Sequence, residues 1–291
     1  MQNEPNPISG LALIGFGEAG RTFATAGAWS AATVFDLKTD RAEAREAKRA
    51  EYVASGVQGR ENAAAALAGR SLVLCLVTAD QALAAAQAYA PLLSPGALWC
   101  DMNSVAPDTK RAAAAVIEAA GGRYVDVAVM APVDPARLSV PLLVSGPHAD
   151  AAVTSLLALG FAKVRAVGDA VGRASSIKMV RSVMVKGIEA LTAEMVLAAA
   201  RAGVVGEVLS SLGPEWETRA DYNLDRMLVH GLRRAAEMEE VAKTLESLGV
   251  EPAMTHGTIA RQRRLGALSA GSPDGLNHKL NLLTRDGTEM T

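Results

Sequence analysis

Aromatic side chains make up only 4% of the 291 residues, and cysteine occurs twice. Half of the residues are nonetheless apolar, so the interior has to be assembled from Ala, Val, Leu, Ile and Met, which favours closely packed helices and short buried strands. Cys75 and Cys100 stand in the apolar runs SLVLCLV and ALWCDM, where a cysteine behaves as a small buried hydrophobe. Two such residues argue against a disulfide framework, and reduced thiols in a cytoplasmic protein are expected. Basic tracts are missing too. The 29 basic and 31 acidic residues leave a formal charge of -2, which argues against nucleic acid and anionic membranes as partners and for a small molecule. No apolar run is long enough to span a bilayer, and the opening MQNEPNPISG has neither the basic start nor the apolar centre of a secretory signal. The first seven or so residues read as a loose arm.

What is present is alternation. From Gly10 to about Val167, short apolar runs (LALIGF, ATVFD, SLVLCLV, ALWCDM, RYVDVAV, PLLVSG, AKVRAVG) are separated by longer amphipathic stretches such as Arg41 to Ala54. This predicts an α/β fold, a doubly wound parallel sheet of the Rossmann type. After Gly168 no further strand is expected. SSIKMVRSVMVKGIEALTAEMVLAAARAG is apolar almost all round, which predicts a long helix buried between other elements. The stretch from Pro214 to Met254 predicts at least two more helices, the last ended by Gly249 with Pro252 behind it. The tail from Ser272 onward reads as a short helix or an ordered arm. The boundary is accordingly placed near Gly168, giving a nucleotide-binding domain over 1–168 and an all-helical domain over 169–291.

The stretch LALIGFGEAGRTFATAG combines a strand-length apolar run, Gly15, Gly17 and Gly20 in the spacing G-x-G-x-x-G, and a helix-compatible continuation. That is the order a dinucleotide fingerprint requires. Gly15 makes the tight turn, Gly17 lets backbone approach a pyrophosphate, and Gly20 lets helix pack on strand. Phe16, Glu18 and Ala19 complete the loop, whose backbone N–H groups at a helix N-terminus suit phosphate. Asp36 ends the second strand about twenty residues on, where its carboxylate accepts from ribose hydroxyls and repels a 2'-phosphate. NAD is therefore expected as cofactor, with NADP possible through Lys38 or Arg41 should Asp36 turn away. No metal ligand is assigned.

Lys178 lies near the start of the long helix among Ile177, Met179 and Val180. A lysine among apolar neighbours is costly unless it is paired or functional, and desolvation, Arg181 and the helix N-terminus all favour its neutral form, which suits proton transfer. The alternative is a side chain that reaches solvent or pairs with an acid. Lys186, two turns on, reads as structural.

With these residues in place the chain resembles the beta-hydroxyacid dehydrogenase family, which includes 3-hydroxyisobutyrate dehydrogenase and is related to 6-phosphogluconate dehydrogenase. The resemblance runs through LIGFGEAG, DMNSVAPDT at Asp101 to Thr109, YVDVAVMAP at Tyr124 to Pro132 and GRASSIKMVRS at Gly172 to Ser182. It implies that Lys178 is the catalytic lysine, that Asn103 and Ser104 lie near the nicotinamide and substrate, and that Val77 and Thr78 flank the cofactor. It implies a homodimer as well. The pattern departs from the family at two places. Met130, Ala131 and Pro132 stand where a Ser-Gly-Gly cradle for a substrate carboxylate is usual, and proline has no N–H to donate. Arg181 and Ser182 stand where a pair of asparagines is usual; Arg181 either grips an acidic group through its planar fork or pairs with Asp126 or Glu189. Both changes point to an unusual substrate. In the C-terminal half, His230, Arg233, Arg234 and Glu237 share a helix face, either lining the substrate cleft or facing solvent.

The function expected is hydride transfer between nicotinamide and a small 3-hydroxy acid or related sugar acid, with Lys178 as general acid and base and Ser104, Met130, Arg181, Ser182 and His230 towards the substrate. Two other readings stand beside it: an imine reductase-like enzyme, against which the retained Lys178 argues, and a protein that binds the dinucleotide without turnover.

Overall fold

The computed structural model describes residues 10–269 and 271–285, so the expected N-terminal arm lies outside the described residues. Strands and helices alternate as far as Ala166, and only helices follow. The chain divides into two compact units, which part between Lys178 and Met179.

The first unit is an eight-stranded sheet in the order β3-β2-β1-β4-β5-β6-β7-β8. Its strands are β1 (Leu11–Ile14), β2 (Thr33–Phe35), β3 (Gln58–Gly59), β4 (Leu72–Cys75), β5 (Leu98–Asp101), β6 (Arg123–Val129), β7 (Leu142–Ser145) and β8 (Val164–Ala166). Between them run α1 (Glu18–Gly27), α2 (Ala42–Ala54), α3 (Ala63–Leu67), α4 (Ala82–Tyr89), α5 (Pro107–Ala119) and α6 (Ala149–Ala158). Buried side chains alternate between the two faces: Leu11, Leu13, Leu72, Leu74, Leu98 and Cys100 join one core, while Ala12, Ile14, Val73, Cys75 and Trp99 join the other. A sheet covered on both sides in this way reads as continuous apolar runs. β3, two exposed residues long, has no such run and is not foreseen.

All neighbours are parallel except β6 and β7, which pair antiparallel. The reason is the connection. Twelve residues from Met130 to Pro141 contain only a single turn of 3-10 helix at Arg137–Ser139, and a parallel return needs a crossover that usually contains a helix. β1 is flanked by β2 and by β4, so the chain leaves β1 towards one edge and comes back on its other side. That reversal opens a crevice at the carboxyl ends of the two strands.

The second unit is helical. α7 (Arg173–Ala202) begins in the first unit and runs into this one, followed by α8 (Val205–Leu212), α9 (Trp216–Ser247), α10 (Ala253–Ala267) and α11 (Leu276–Arg285). Where the sequence predicts at least two helices over 214–254, α9 is one continuous helix of 32 residues. Gly231 at its middle is not a break but a contact: a Cβ there would lie 2.3 Å from the Gln262 carbonyl oxygen, and one at Gly266 would lie 2.4 Å from the Leu232 nitrogen. Two glycines facing one another let α9 and α10 touch through backbone. Gly231→Ala has no flexible neighbour to displace and is expected to cost about 3 kcal/mol, read as a fall in the thermal melting midpoint.

α7 also differs from expectation. Val180, Met184 and Leu191 are exposed, while its buried side carries polar Ser182, Lys186, Glu189 and Thr192 beside apolar Met179, Ala193 and Val196. Helices of the same unit answer these groups: Lys186 donates to Glu237 at 2.7 Å, Asn223 to Thr192 at 3.0 Å, and Gln262 to Glu189 at 2.9 Å. Arg234 closes on Glu189 as well. Burial lowers the Lys186 ammonium below its ordinary value, and Glu237 opposes the shift.

Candidate functional site

The glycine loop joins β1 to α1, and its three glycines have three different environments. Gly15 has φ +87° and would place a Cβ 2.7 Å from the carbonyl of Leu76, so conformation and the adjacent end of β4 both demand glycine. Gly20 sits against the Gly15 oxygen and the Phe16 ring, at 3.1 and 3.2 Å from a Cβ. Gly17 is different. Its φ is -84°, and no atom lies within 4 Å of where its Cβ would be. Neither strain nor packing accounts for it. It caps α1 without any side-chain hydrogen bond to the first-turn amides, which leaves those N–H groups facing outward at the positive end of the helix.

The loop is braced from beneath. The Phe16 N–H donates to Asp36 Oδ2 at 2.7 Å, and the Lys38 N–H donates to Asp36 Oδ1 at 2.9 Å. Asp36 is thereby held at the end of β2 towards the glycines instead of turning away, and each of its oxygens keeps capacity for another donor. Lys48 of α2 is buried and donates to the Phe16 carbonyl at 2.9 Å while pairing with Glu51 at 2.5 Å. On the sequence this lysine looks like part of a solvated outer helix.

β4 leads into Val77, which is partly buried, and Thr78, which is exposed and helps hold the Asp80 carboxyl below its usual range. Past β5 the chain turns through Asn103 and Ser104. The Asn103 amide nitrogen donates to Asp101 Oδ1 at 2.7 Å and to Cys75 Sγ at 3.3 Å. Its carbonyl oxygen and the Ser104 hydroxyl are buried atoms with no hydrogen-bond partner among the described residues. A buried acceptor left open in this way is costly. Burial pushes the thiols of Cys75 and Cys100 up to about 12, so both are inert.

The structure thus brings Gly15 to Gly20, Asp36, Val77, Thr78, Asn103 and Ser104 to the carboxyl ends of β1, β2, β4 and β5. Met130 follows β6; its N–H donates to the Pro141 carbonyl at 2.9 Å, and it packs with Ala128, Leu143 and Ala174. Lys178 is partly exposed in the second turn of α7, beside buried Met179. Arg181, Ser182 and His230 belong to the second unit. There His230 borders a groove with Val229, Leu232 and Gly266, whereas Arg234 and Glu237, from the same predicted stripe, take part in the ion pairs with Glu189 and Lys186.

Comparison with known proteins agrees with this geometry. Residues 10–168 match a family model described as the NAD binding domain of 6-phosphogluconate dehydrogenase, and residues 199–265 match a domain of unknown function, DUF1932. A conserved hypothetical protein from Sinorhizobium meliloti 1021 is 38% identical, with a TM-score of 0.73 over 94% of this chain and 95% of its own. The conserved protein MTH1747, of unknown function and described as structurally similar to 3-hydroxyacid dehydrogenases, is 28% identical, with a TM-score of 0.68 over 88% of this chain and 96% of its own. The 3-hydroxyisobutyrate dehydrogenase of Mycobacterium tuberculosis shares the fold at 14% identity, with a TM-score of 0.73 over 94% of this chain and 98% of its own. Among the described residues, no helix is long and apolar enough to cross a membrane.

Proposed function

The chain belongs to the family defined by the NAD binding domain of 6-phosphogluconate dehydrogenase, and on that premise we propose that it is an NAD-dependent oxidoreductase acting on the hydroxyl-bearing carbon of a small 3-hydroxy acid or related sugar acid. The observation that carries the proposal is Gly17, a glycine with ordinary φ and empty space around its Cβ position. Close approach of a ligand to the backbone accounts for a glycine that neither a positive φ nor a packing contact requires. The open Asn103 carbonyl and Ser104 hydroxyl support the same reading, since a ligand donor or acceptor completes them.

In this reading Gly15, Phe16, Gly17, Glu18, Ala19 and Gly20 hold the pyrophosphate through backbone N–H groups and the positive end of α1. Asp36 accepts from the adenosine ribose, Val77 and Thr78 flank the dinucleotide, and Asn103 offers its carbonyl to the nicotinamide half. The bound nicotinamide supplies the hydride acceptor. Lys178 takes the proton of the substrate hydroxyl during oxidation and returns one during reduction. Arg181 and Ser182, three and four residues further along the same helix, hold the acidic group of the substrate, the arginine through a planar bidentate fork. Ser104, Met130 and His230 complete the substrate set. An internally bonded Met130 N–H and a proline two residues on favour this use of Arg181 over a backbone cradle. Val180, Met184 and Leu191, exposed on one face of α7, suit a homodimer, checked by light scattering.

The carboxylate at Asp36 also sets cofactor choice. Asp36→Ala is expected to shift the ratio of NADP to NAD affinity about tenfold towards NADP. It will also loosen the loop, because the Phe16 N–H loses its partner. Calorimetric titration with both cofactors reads the ratio. The overall proposal is tested by following nicotinamide absorbance with NAD and NADP against a panel of 3-hydroxy acids, sugar acids and their phosphorylated or sulfonated analogues. Turnover with an acid-bearing alcohol is the expected outcome. Dinucleotide binding without turnover on any of them would favour a binding protein instead.

A further inference from the structure

Asp101 and Asp126 are direct register partners on the parallel strands β5 and β6, so their side chains project from the same face. Both are buried, at 1% and 0% exposure. Two carboxylates placed side by side in an interior repel one another unless a cation lies between them. That cation is Lys110 of α5, itself 0% exposed, whose Nζ lies 3.0 Å from Asp101 Oδ1, 3.5 Å from Asp126 Oδ1 and 2.7 Å from the Asp101 carbonyl. The three groups sum to one negative charge without solvent, and the rest of their hydrogen bonds show how it is accommodated.

On one side, Asp101 Oδ2 accepts from the Tyr124 hydroxyl at 2.7 Å, and Oδ1 accepts both the backbone N–H of Asn103 at 3.0 Å and its amide nitrogen at 2.7 Å. Burial and the two aspartates raise the Tyr124 phenol well above its usual range, so it remains a donor. A carboxylate facing the Asn103 amide fixes which end is which: the NH2 group turns inward, and the carbonyl is left open. On the other side, Asp126 accepts from the Ser175 N–H at 2.9 Å, the Ser175 hydroxyl at 2.6 Å and the Ser145 hydroxyl at 3.1 Å, while Ser145 Oγ accepts the Ala174 N–H at 2.9 Å. The excess negative charge is thus delivered to the first-turn amides of α7, where the helix dipole favours it. Lys178 lies one turn further on.

We infer that Lys110, with Asp101 and Asp126, is a positioning relay that fixes the Asn103 carbonyl at one end and the first turn of the Lys178 helix at the other. The inference rests on the functional reading above. It adds to that reading a cause for the relative placement of cofactor-side and proton-transfer groups, which come from separate loops. None of the three residues needs to touch a ligand. Each acts through a neighbour, and a fixed supporting layer of this kind is what holds reacting groups in register.

The relay is tested with Lys110→Met at its centre, and with Tyr124→Phe and Ser175→Ala as milder changes on the two arms. The readouts are NAD affinity by calorimetry, amide hydrogen exchange in the first turn of α7, and the pH profile of kcat. Tyr124→Phe is expected to weaken NAD about tenfold and to leave α7 exchange unchanged. Ser175→Ala is expected to leave NAD affinity unchanged, speed exchange in the first turn, lower kcat about tenfold and displace its pH profile. Lys110→Met combines both effects. Should Lys110→Met fail to fold, the two arm variants decide. Melting midpoints that fall in the arm variants while affinity, exchange and pH profile stay at wild-type values would overturn the relay. Wild-type protein that binds no dinucleotide would overturn the functional reading, and first-turn exchange in Ser175→Ala then judges the α7 arm alone.

Discussion

Replacing Gly17 by valine will weaken NAD binding roughly 100-fold, about 3 kcal/mol, without lowering the melting midpoint. The two halves of this expectation have separate origins. Stability is spared because a Cβ at position 17 meets no atom within 4 Å and the backbone there has φ -84°, outside the left-handed region that favours glycine. Affinity is lost because two branched methyl groups would occupy the space through which a pyrophosphate reaches the first-turn amides of α1. Gly15 provides the contrast. A side chain there would collide with the Leu76 carbonyl and sit at φ +87°, so Gly15→Ala must lower stability and affinity together. A Gly17→Val protein that melts early, or that binds NAD as well as wild type does, would contradict the assignment of this loop.

Lys178→Ala will lower kcat by about 10² to 10⁴-fold, the range that general acid and base catalysis contributes, while leaving NAD affinity near wild type. Lys178 is placed in the second turn of α7, whose amide end is held by Asp126 and Ser145, and it is partly exposed beside buried Met179. The loss should fall on kcat, because the proton moves during the chemical step and not during binding. Steady-state rates with the substrate identified by the panel, paired with calorimetry, separate the two. An unchanged kcat would remove Lys178 from the chemistry and favour a side chain that merely reaches solvent.

The glycine loop and the sheet were legible because they are local. An apolar run, three glycines and a following helix are written in consecutive residues, and so are the strands that alternate into two covered faces. What depends on partners was not legible. Lys110 stands in PDTKRAAAA beside exposed Arg111, and nothing in that string tells the inward lysine from its outward neighbour. Only the register that sets Asp101 against Asp126 requires a cation at this place. The same holds for α7, where a count of apolar residues around the helix predicts burial on every side. Four of its polar residues, Ser182, Lys186, Glu189 and Thr192, are interior beside apolar ones, and Glu237, Arg234, Gln262 and Asn223 come from distant sequence to meet three of them. Gly231 gains its meaning only from Gly266 opposite. The reversed strand β7 follows from a connection without a helix, a property of the chain between strands and not of the strand itself.

Two expectations meet in one experiment: NAD held at the glycine loop, and a proton moved by Lys178. Nicotinamide absorbance followed across the hydroxy-acid panel, with wild type and Lys178→Ala side by side and bound NAD measured in both, reads them together. Turnover is expected in the wild type, with a fall of at least about 100-fold in the variant at equal cofactor occupancy. Equal rates in the two proteins, or occupancy lost together with rate, would overturn the assignment of Lys178 as the proton-transfer group.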